Sequence, residues 1–182
     1  MTELKYFNEL ARAMTWLGEK ENTVFLGQSV GIEGTSMYGT LNGVLMDKRH
    51  EIPVIENTQM GMSIGMALDG KTVPISIFPR MDFLTCGMDQ LCNHLDKIID
   101  YSNGEYKPKV IIRVGIGSVR PLHPQAQHCN DYSDAFAMML KNVEVIKLHE
   151  PDDIFPAYER AYLREDGKST ILVEFSDFLN ER

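Results

Sequence analysis

The sequence has few cysteines and no long apolar run. Its three cysteines, Cys86, Cys92 and Cys129, form no Cys-x-x-Cys pair and cannot all pair within one chain, which is typical of a reducing compartment. No apolar run approaches the roughly 20 residues needed to cross a bilayer. Residues 1–20 alternate charged and apolar side chains instead of forming the apolar centre of a secretion signal. We therefore expect a cytoplasmic protein that does not enter a membrane.

Positive charge is also scarce. The chain has 18 Lys and Arg against 26 Asp and Glu, which gives a formal net charge of −8. Sequence-independent binding to nucleic acid or to an anionic membrane needs clustered Lys and Arg, so neither is expected. The 182 residues, 43% of them hydrophobic, suffice for one continuous core, and we expect residues 1–182 to form a single domain.

Short apolar runs rich in β-branched residues alternate with stretches long enough for helices. An amphipathic helix is predicted from Leu4 to Leu17, with Gly18 as its stop. Such alternation predicts an α/β fold: three α/β/α layers with a mostly parallel six-stranded sheet. The predicted strands are Val24–Leu26, Pro53–Ile55, Val73–Phe78, Val110–Val114, Val143–Leu148 and Thr170–Phe175. The predicted crossover helices are Met60–Leu68, Cys86–Tyr101, Tyr132–Leu140 and Pro151–Leu163.

Functional side chains in a parallel sheet are expected beyond the carboxyl ends of the strands. Glu56 follows a predicted strand and precedes a glycine-punctuated segment, so it is a candidate functional acid. A surface glutamate next to a helix start is the alternative.

A long irregular loop, residues 115–131, carries His123 and His128, either of which can donate a proton near neutral pH. Surface or hydrogen-bonding roles are the alternatives for both. A zinc site with Cys129 would also be conceivable, but the spacing matches no common structural zinc pattern.

A third segment, Phe78–Phe83, lies just past a predicted strand. Aromatic rings at such a position can pack on a flat ligand ring, although most are core residues. It is followed by Asp89, Gln90, Asn93 and His94, whose polar helix face is typical of an interface.

In combination, these segments resemble the beta subunits of the 2-oxoacid dehydrogenase decarboxylating components, whose first domain is a transketolase-like pyrimidine-binding module. The similarity runs from about Thr23 to Phe175. Its most specific part is residues 56–70, where Glu56 is followed at matching intervals by small residues. The Ala-Gln-His at 126–128 is similar to the family's active-site loop, and Phe83 to its ring-contact aromatic.

The resemblance implies a thiamine diphosphate enzyme. In the family, the glutamate matching Glu56 hydrogen-bonds N1′ of the aminopyrimidine, which favours the tautomer that removes the thiazolium C2 proton. A carboxyl group in a dry pocket can share a proton with such a weakly basic nitrogen. His128 would contact the substrate or intermediate, and Phe83, with Met81 and Phe78, would bind the cofactor ring.

The departures from the family imply a partner. The family holds Mg²⁺ and the diphosphate with Gly-Asp-Gly followed by Asn, and the Asp-Gly pairs at 69–70 and 166–167 lack that context. The resemblance therefore implies a separate alpha-type subunit, an α2β2 heterotetramer, and a 2-oxo acid or ketose substrate. The alternatives are a non-catalytic α/β partner subunit or a Rossmann-type nucleotide binder, for which the glycine fingerprint is missing.

Overall fold

A computed structural model of the chain describes residues 5–117, 119 and 123–180. Its centre is a parallel six-stranded sheet with helices on both faces, which confirms the predicted α/β architecture. The strand order is β2-β1-β3-β4-β6-β5. The strands are β1 (Thr23–Gly27), β2 (Arg49–Glu51), β3 (Val73–Phe78), β4 (Ile111–Ile116), β5 (Val143–Leu148) and β6 (Ser169–Phe175).

The α-helices differ greatly in length, from one turn to more than three. They are α1 (Tyr6–Gly18), α2 (Ser36–Gly39), α3 (Glu56–Ala67), α4 (Met81–Leu84), α5 (Ile98–Tyr101), α6 (Ser133–Met139) and α7 (Pro151–Leu163). None of the helices in the described part of the chain combines the length and the apolar character needed to cross a membrane.

The core has two halves, one on each face of the sheet. Every residue of β3 and β4 is buried, as expected for strands covered on both sides. On one face, the apolar stripe of α1, including Leu10, Met14 and Leu17, packs beside Ile154 and Tyr158 of α7. On the other face, α3 and the segment after α4 cover the sheet, with Met60, Leu91 and Leu95 in the core. The sheet is therefore fixed from both sides, and its carboxyl edge is a rigid base for the loops.

The second strand lies four residues earlier than the sequence indicates. Residues 53–55 were predicted as a strand, but β2 is Arg49–Glu51, paired with β1. The Ile52 N–H still donates to Gly27 O, at 2.8 Å, and Pro53 then has no N–H to continue the ladder. Val54 and Ile55 are consequently exposed, and Glu56 starts a helix instead of ending a strand.

The predicted helix Cys86–Tyr101 is broken. A 3-10 turn, Thr85–Gly87, leads into a π-helical stretch, Gln90–Leu95, which is followed by α5. The Asp96 N–H donates to Leu91 O, five residues back. The buried Asp96 carboxylate accepts the N–H groups of Lys141 and Asn142 at 2.7 and 2.6 Å, which ties the wider turn to the start of β5.

Candidate active site

A cleft of about 870 Å³ lies at the carboxyl edge of the sheet. It is formed where three separate parts of the chain meet: the start of α3, the α4 region, and the turn at residues 126–132. Glu56, Phe83 and His128, which the sequence singled out independently, all line it. Parallel strands place their carboxyl ends at one edge, so segments that are distant in sequence converge there.

Glu56 is the buried acid of the cleft. It is the first residue of the 12-residue helix α3, and only 8% of its surface is exposed. Gln28 Nε2 donates to Glu56 Oε1 at 3.0 Å in a buried bond. The helix amino terminus also favours a negative charge at this position. The carboxylate is thus held in a fixed place with one oxygen already satisfied by the protein.

Gln28, which the sequence reasoning missed, is held by its own support. It follows Gly27, the last residue of β1, where a Cβ atom would lie 2.1 Å from Ile77 O and φ is 147°. The next three N–H groups, of Ser29, Val30 and Gly31, all donate to the Glu51 carboxylate, at 3.0, 2.8 and 2.8 Å. The loop that carries Gln28 is therefore fixed by a carboxylate at the end of the neighbouring strand. A signal was present in the sequence, since polar Gln28 directly follows an apolar strand.

A second cleft, of about 510 Å³, adjoins the first. Gln28, Glu51 and Ile32 line it, and Val54 borders both clefts. Because Gln28 lines the second cleft and Glu56 the first, the hydrogen bond between them lies at the boundary of the two.

The opposite wall of the first cleft carries two rings in contact. The Phe83 ring and the His128 imidazole meet edge to face, with centroids 5.3 Å apart and planes at 90°. His128 ends a 3-10 turn, Ala126–His128. Its Nδ1 atom is buried and has no hydrogen-bond partner within the described residues. Such an orphaned polar atom is costly unless a bound molecule satisfies it.

The other sequence candidates lie elsewhere. Phe78 and Met81 are fully buried in the core, and neither lines the cleft. Met81 Sδ instead accepts the Tyr132 N–H. His123 is exposed, and its Nδ1 accepts the Gln125 N–H at 3.0 Å. Across the described part of the chain, no three His, Cys, Asp or Glu side chains are grouped to hold a metal ion.

Relatives of this chain are found by sequence and by fold. The beta subunit of the pyruvate dehydrogenase E1 component of Gracilaria tenuistipitata var. liui is 30% identical over 155 residues, which cover 83% of this chain and 47% of that protein. The chain thus spans about half the length of this relative. No protein-family model matches the chain.

Solved structures of transketolases and decarboxylases share the fold. A split-gene transketolase, described as an inactive beta4 tetramer, has a TM-score of 0.70 at 15% identity, over 96% of this chain and 52% of that one. Transketolase from Campylobacter jejuni subsp. jejuni has a TM-score of 0.69 at 10% identity, over 94% of this chain and 26% of that one. Benzoylformate decarboxylase from Polynucleobacter necessarius has a TM-score of 0.65 at 15% identity, over 97% of this chain and 31% of that one. The sequence match relates the chain to a beta subunit of the pyruvate dehydrogenase E1 component, and the solved structures show that it has a transketolase-like fold.

Proposed function

We propose that this chain is the pyrimidine-binding subunit of a split thiamine diphosphate enzyme that cleaves or forms a C–C bond next to a carbonyl group. The observation that carries the proposal is the convergence of Glu56, Phe83 and His128 on one cleft. Each residue came from a different motif of the sequence, and the fold brings the three motifs to one edge of the sheet. The name of the sequence relative, a pyruvate dehydrogenase subunit, supports the same chemistry.

The residues of the cleft fit the aminopyrimidine part of thiamine diphosphate. A buried carboxylate can hold a ring nitrogen and its proton, and Glu56 is buried with Gln28 occupying Oε1. The partly exposed Phe83 ring offers an apolar surface for a flat heterocycle. The bound cofactor would supply a nucleophilic carbon and an electron sink, which amino-acid side chains lack.

The protein's own part in the reaction is proton handling and orientation. We assign to Glu56 a hydrogen bond to the ring nitrogen, where it would hold a proton and so help the bound cofactor to lose its C2 proton. We assign to His128 a hydrogen bond with the substrate. Its unpartnered Nδ1 can donate to or accept from an oxygen of a 2-oxo acid or a ketose. Removing such a proton relay costs about 100-fold or more in rate.

The diphosphate and Mg²⁺ are assigned to a separate alpha-type subunit. This chain lacks the Gly-Asp-Gly and Asn pattern that the family uses for them. The assembly proposed is an α2β2 heterotetramer with sites between chains, acting in the cytoplasm. Decarboxylation of a 2-oxo acid and transketolase-type two-carbon transfer both fit this arrangement.

Reconstitution with an alpha-type chain tests the proposal. The chain encoded beside this one, if it carries Gly-Asp-Gly followed by Asn, is mixed with it, Mg²⁺ and thiamine diphosphate. Product formation is then measured on a panel of 2-oxo acids and ketoses. We expect activity with both chains and little with either alone.

Glu56→Gln is expected to lower the activity of the reconstituted enzyme about 100-fold or more. Glu19→Gln is the matched control, because Glu19 is an exposed glutamate at the opposite edge of the sheet. Full activity in Glu56→Gln would overturn the proton-handling role assigned to Glu56. A complex that forms but has no thiamine-dependent activity would favour a non-catalytic subunit instead.

A further inference from the structure

We propose that Arg80, Asp82 and Asn130 form a clamp that positions His128 in the cleft. The clamp is defined by these three side chains and the hydrogen bonds they make to the turn at residues 126–130. The claim about positioning rests on geometry alone, whereas its effect on catalysis rests on the proposed function.

Arg80 links the turn to the end of β4. Its Nη1 atom donates to His128 O at 2.9 Å and to Gly117 O at 3.3 Å. Gly117, which directly follows β4, and His128 are thereby tied to one side chain.

Asp82 and Asn130 fix the far side of the turn. Asp82 Oδ1 accepts from Asn130 Nδ2 at 2.6 Å, and Asp82 Oδ2 accepts the Asn130 N–H at 3.4 Å. The same Asn130 Nδ2 donates to Ala126 O at 2.9 Å, which closes the turn on itself. Hydrogen bonds to a carboxylate are stronger than those to a neutral acceptor, so the bond from Asn130 to Asp82 is stronger than the bond from Asn130 to Ala126 O.

The four consecutive residues 80–83 all contact residues 128–132. Arg80 and Asp82 hold the main chain of that segment, Met81 Sδ accepts the Tyr132 N–H, and the Phe83 ring touches the His128 imidazole. Arg80 precedes α4 and the other three residues begin it, so all four lie close to the end of the buried strand β3.

The turn has little other support. Ala126 and Gln127 are exposed, so the apolar core does not set its position. Gln125 has a φ of 73°, which a non-glycine side chain rarely adopts and which surrounding contacts must maintain. Among the described residues, one main-chain hydrogen bond lies within the turn, from the His128 N–H to Gln125 O at 3.1 Å. The clamp therefore holds the main chain that carries His128, and Phe83 contacts the imidazole itself.

The first test needs no cofactor. The imidazole signals of His128 are recorded by NMR in the full chain and in Asp82→Ala, with His128→Gln used for their assignment. We expect a shift of the His128 signals, because the ring moves relative to Phe83, and a smaller shift in Asp82→Asn, which keeps an acceptor for Asn130. The control is Asp69→Ala, which removes a carboxylate that holds a turn at the other edge of the sheet through the N–H groups of Lys71 and Thr72, both at 2.8 Å. Unchanged His128 signals in Asp82→Ala would overturn the clamp.

The second test uses the reconstituted enzyme. Asp82→Ala and Asn130→Ala are each expected to lower kcat by about tenfold, and the double variant by no more than the larger single effect, because both act through one contact. Multiplying effects would instead mean that the two side chains contact the substrate separately, and would overturn the positioning role. Asp69→Ala is expected to leave kcat unchanged.

The two tests separate this proposal from the proposed function. If the wild-type complex has no thiamine-dependent activity while Asp82→Ala shifts the His128 signals, the function fails and the clamp stands. If the wild-type complex is active while neither test shows an effect of Asp82→Ala, the clamp fails and the function stands.

Discussion

At the scale of single residues, the site depends on the Glu56 carboxylate, which is shielded from water. Glu56 is almost fully buried, so its hydrogen bond with Gln28 is not exchanged for a bond with solvent. Position in the sequence made Glu56 a candidate, because a charged residue followed an apolar run, and the resemblance to a known family gave it a role. The identity of its partner was not predictable, because Gln28 and Glu56 are 28 residues apart and meet only through the pairing of β1 with its neighbours.

Replacing Gln28 is expected to weaken the function of Glu56. Gln28→Met keeps the volume of the side chain and removes its donor, so the Glu56 carboxylate loses a bond worth about 1.5–3 kcal/mol. In the reconstituted enzyme we expect kcat/KM to fall between about tenfold and a hundredfold, a range that follows from 1.36 kcal/mol per decade. Steady-state kinetics measure the change, and a variant with wild-type kcat/KM would contradict the role given to Gln28.

The rings at the site show both what the sequence can predict and what it cannot. Phe78, Met81 and Phe83 lie within six residues and were all candidates for ring contact. Two of the three point into the core, and only Phe83 reaches the cleft. The pattern could not separate them because α4 and the turn after it have no long periodic segment from which a buried face can be inferred.

At the scale of elements, the errors in the prediction have local causes. The long periodic elements β3, β5 and α7 were predicted with their bounds correct, since apolar spacing and Pro151 at a helix start define them. The strand predicted at 53–55 was wrong because Pro53 cannot continue a ladder. The predicted helix 86–101 is helical over most of its length but changes type and is interrupted at residues 96–97, where the Asp96 carboxylate bonds to Lys141 and Asn142 ahead of β5, which no local pattern reveals.

The pairing of β4 with β6 contains a buried ion pair that no sequence pattern indicated. Arg113 Nε and Nη2 donate to Glu174 at 2.6 and 2.9 Å, and both side chains are fully buried. Tyr158 of α7 donates to the same carboxylate at 2.6 Å, so a strand pair and a helix share one polar cluster. Burial and the negative charge of Glu174 raise the pKa of Tyr158 well above its ordinary value, which keeps this donor protonated.

Removing one partner of this pair leaves a buried charge. Glu174→Gln is therefore expected to lower the free energy of unfolding by about 3–5 kcal/mol in urea denaturation. The control is Lys141→Ala, which breaks the exposed pair with Asp100 and should cost at most about 1 kcal/mol. Equal losses of unfolding free energy in Glu174→Gln and Lys141→Ala would contradict the claim that burial makes the Arg113–Glu174 pair costly to break. Replacing both Arg113 and Glu174 by Met and Leu should restore most of the loss.

At the scale of the whole molecule, the sheet topology creates the cleft. The order β2-β1-β3-β4-β6-β5 places β1 beside β2 and β3, so the loops that carry Gln28, Glu56 and Phe83 leave from neighbouring strands. Fold class was predictable because alternating strands and helices have few packing solutions. The shape of the cleft was not, because it depends on loops whose positions are set by side-chain contacts such as that of Asp82 with Asn130.

Acid stability is another property of the whole molecule. The hydrogen bond from Arg164, which outweighs partial burial, lowers the pKa of Asp166 to about 2. Burial alone would raise the pKa of Asp96, but hydrogen bonds from Lys97, Asn142 and Lys141 outweigh it and keep the pKa below its ordinary value. Both carboxylates thus stabilise the folded state above the unfolded pKa of about 4, and this stabilisation is lost as pH falls.

Asp166→Asn tests the sign of this effect. Because the folded pKa of Asp166 is depressed to about 2, the variant should be less stable than the wild type above about pH 4. The difference should shrink as the pH falls from about 4 towards 2. Denaturant unfolding between pH 7 and 2 gives the curve, and a difference that stays constant or grows in acid would contradict the assigned shift.

The central claim is that Glu56 activates thiamine diphosphate held between this chain and its partner. Deuterium exchange at C2 of thiamine diphosphate, followed by NMR in the complex with Mg²⁺, measures this step without any substrate. We expect exchange in the wild-type complex to be much faster than in free cofactor, and to slow about 100-fold or more in Glu56→Gln. Equal exchange rates in the wild-type and Glu56→Gln complexes would contradict the account.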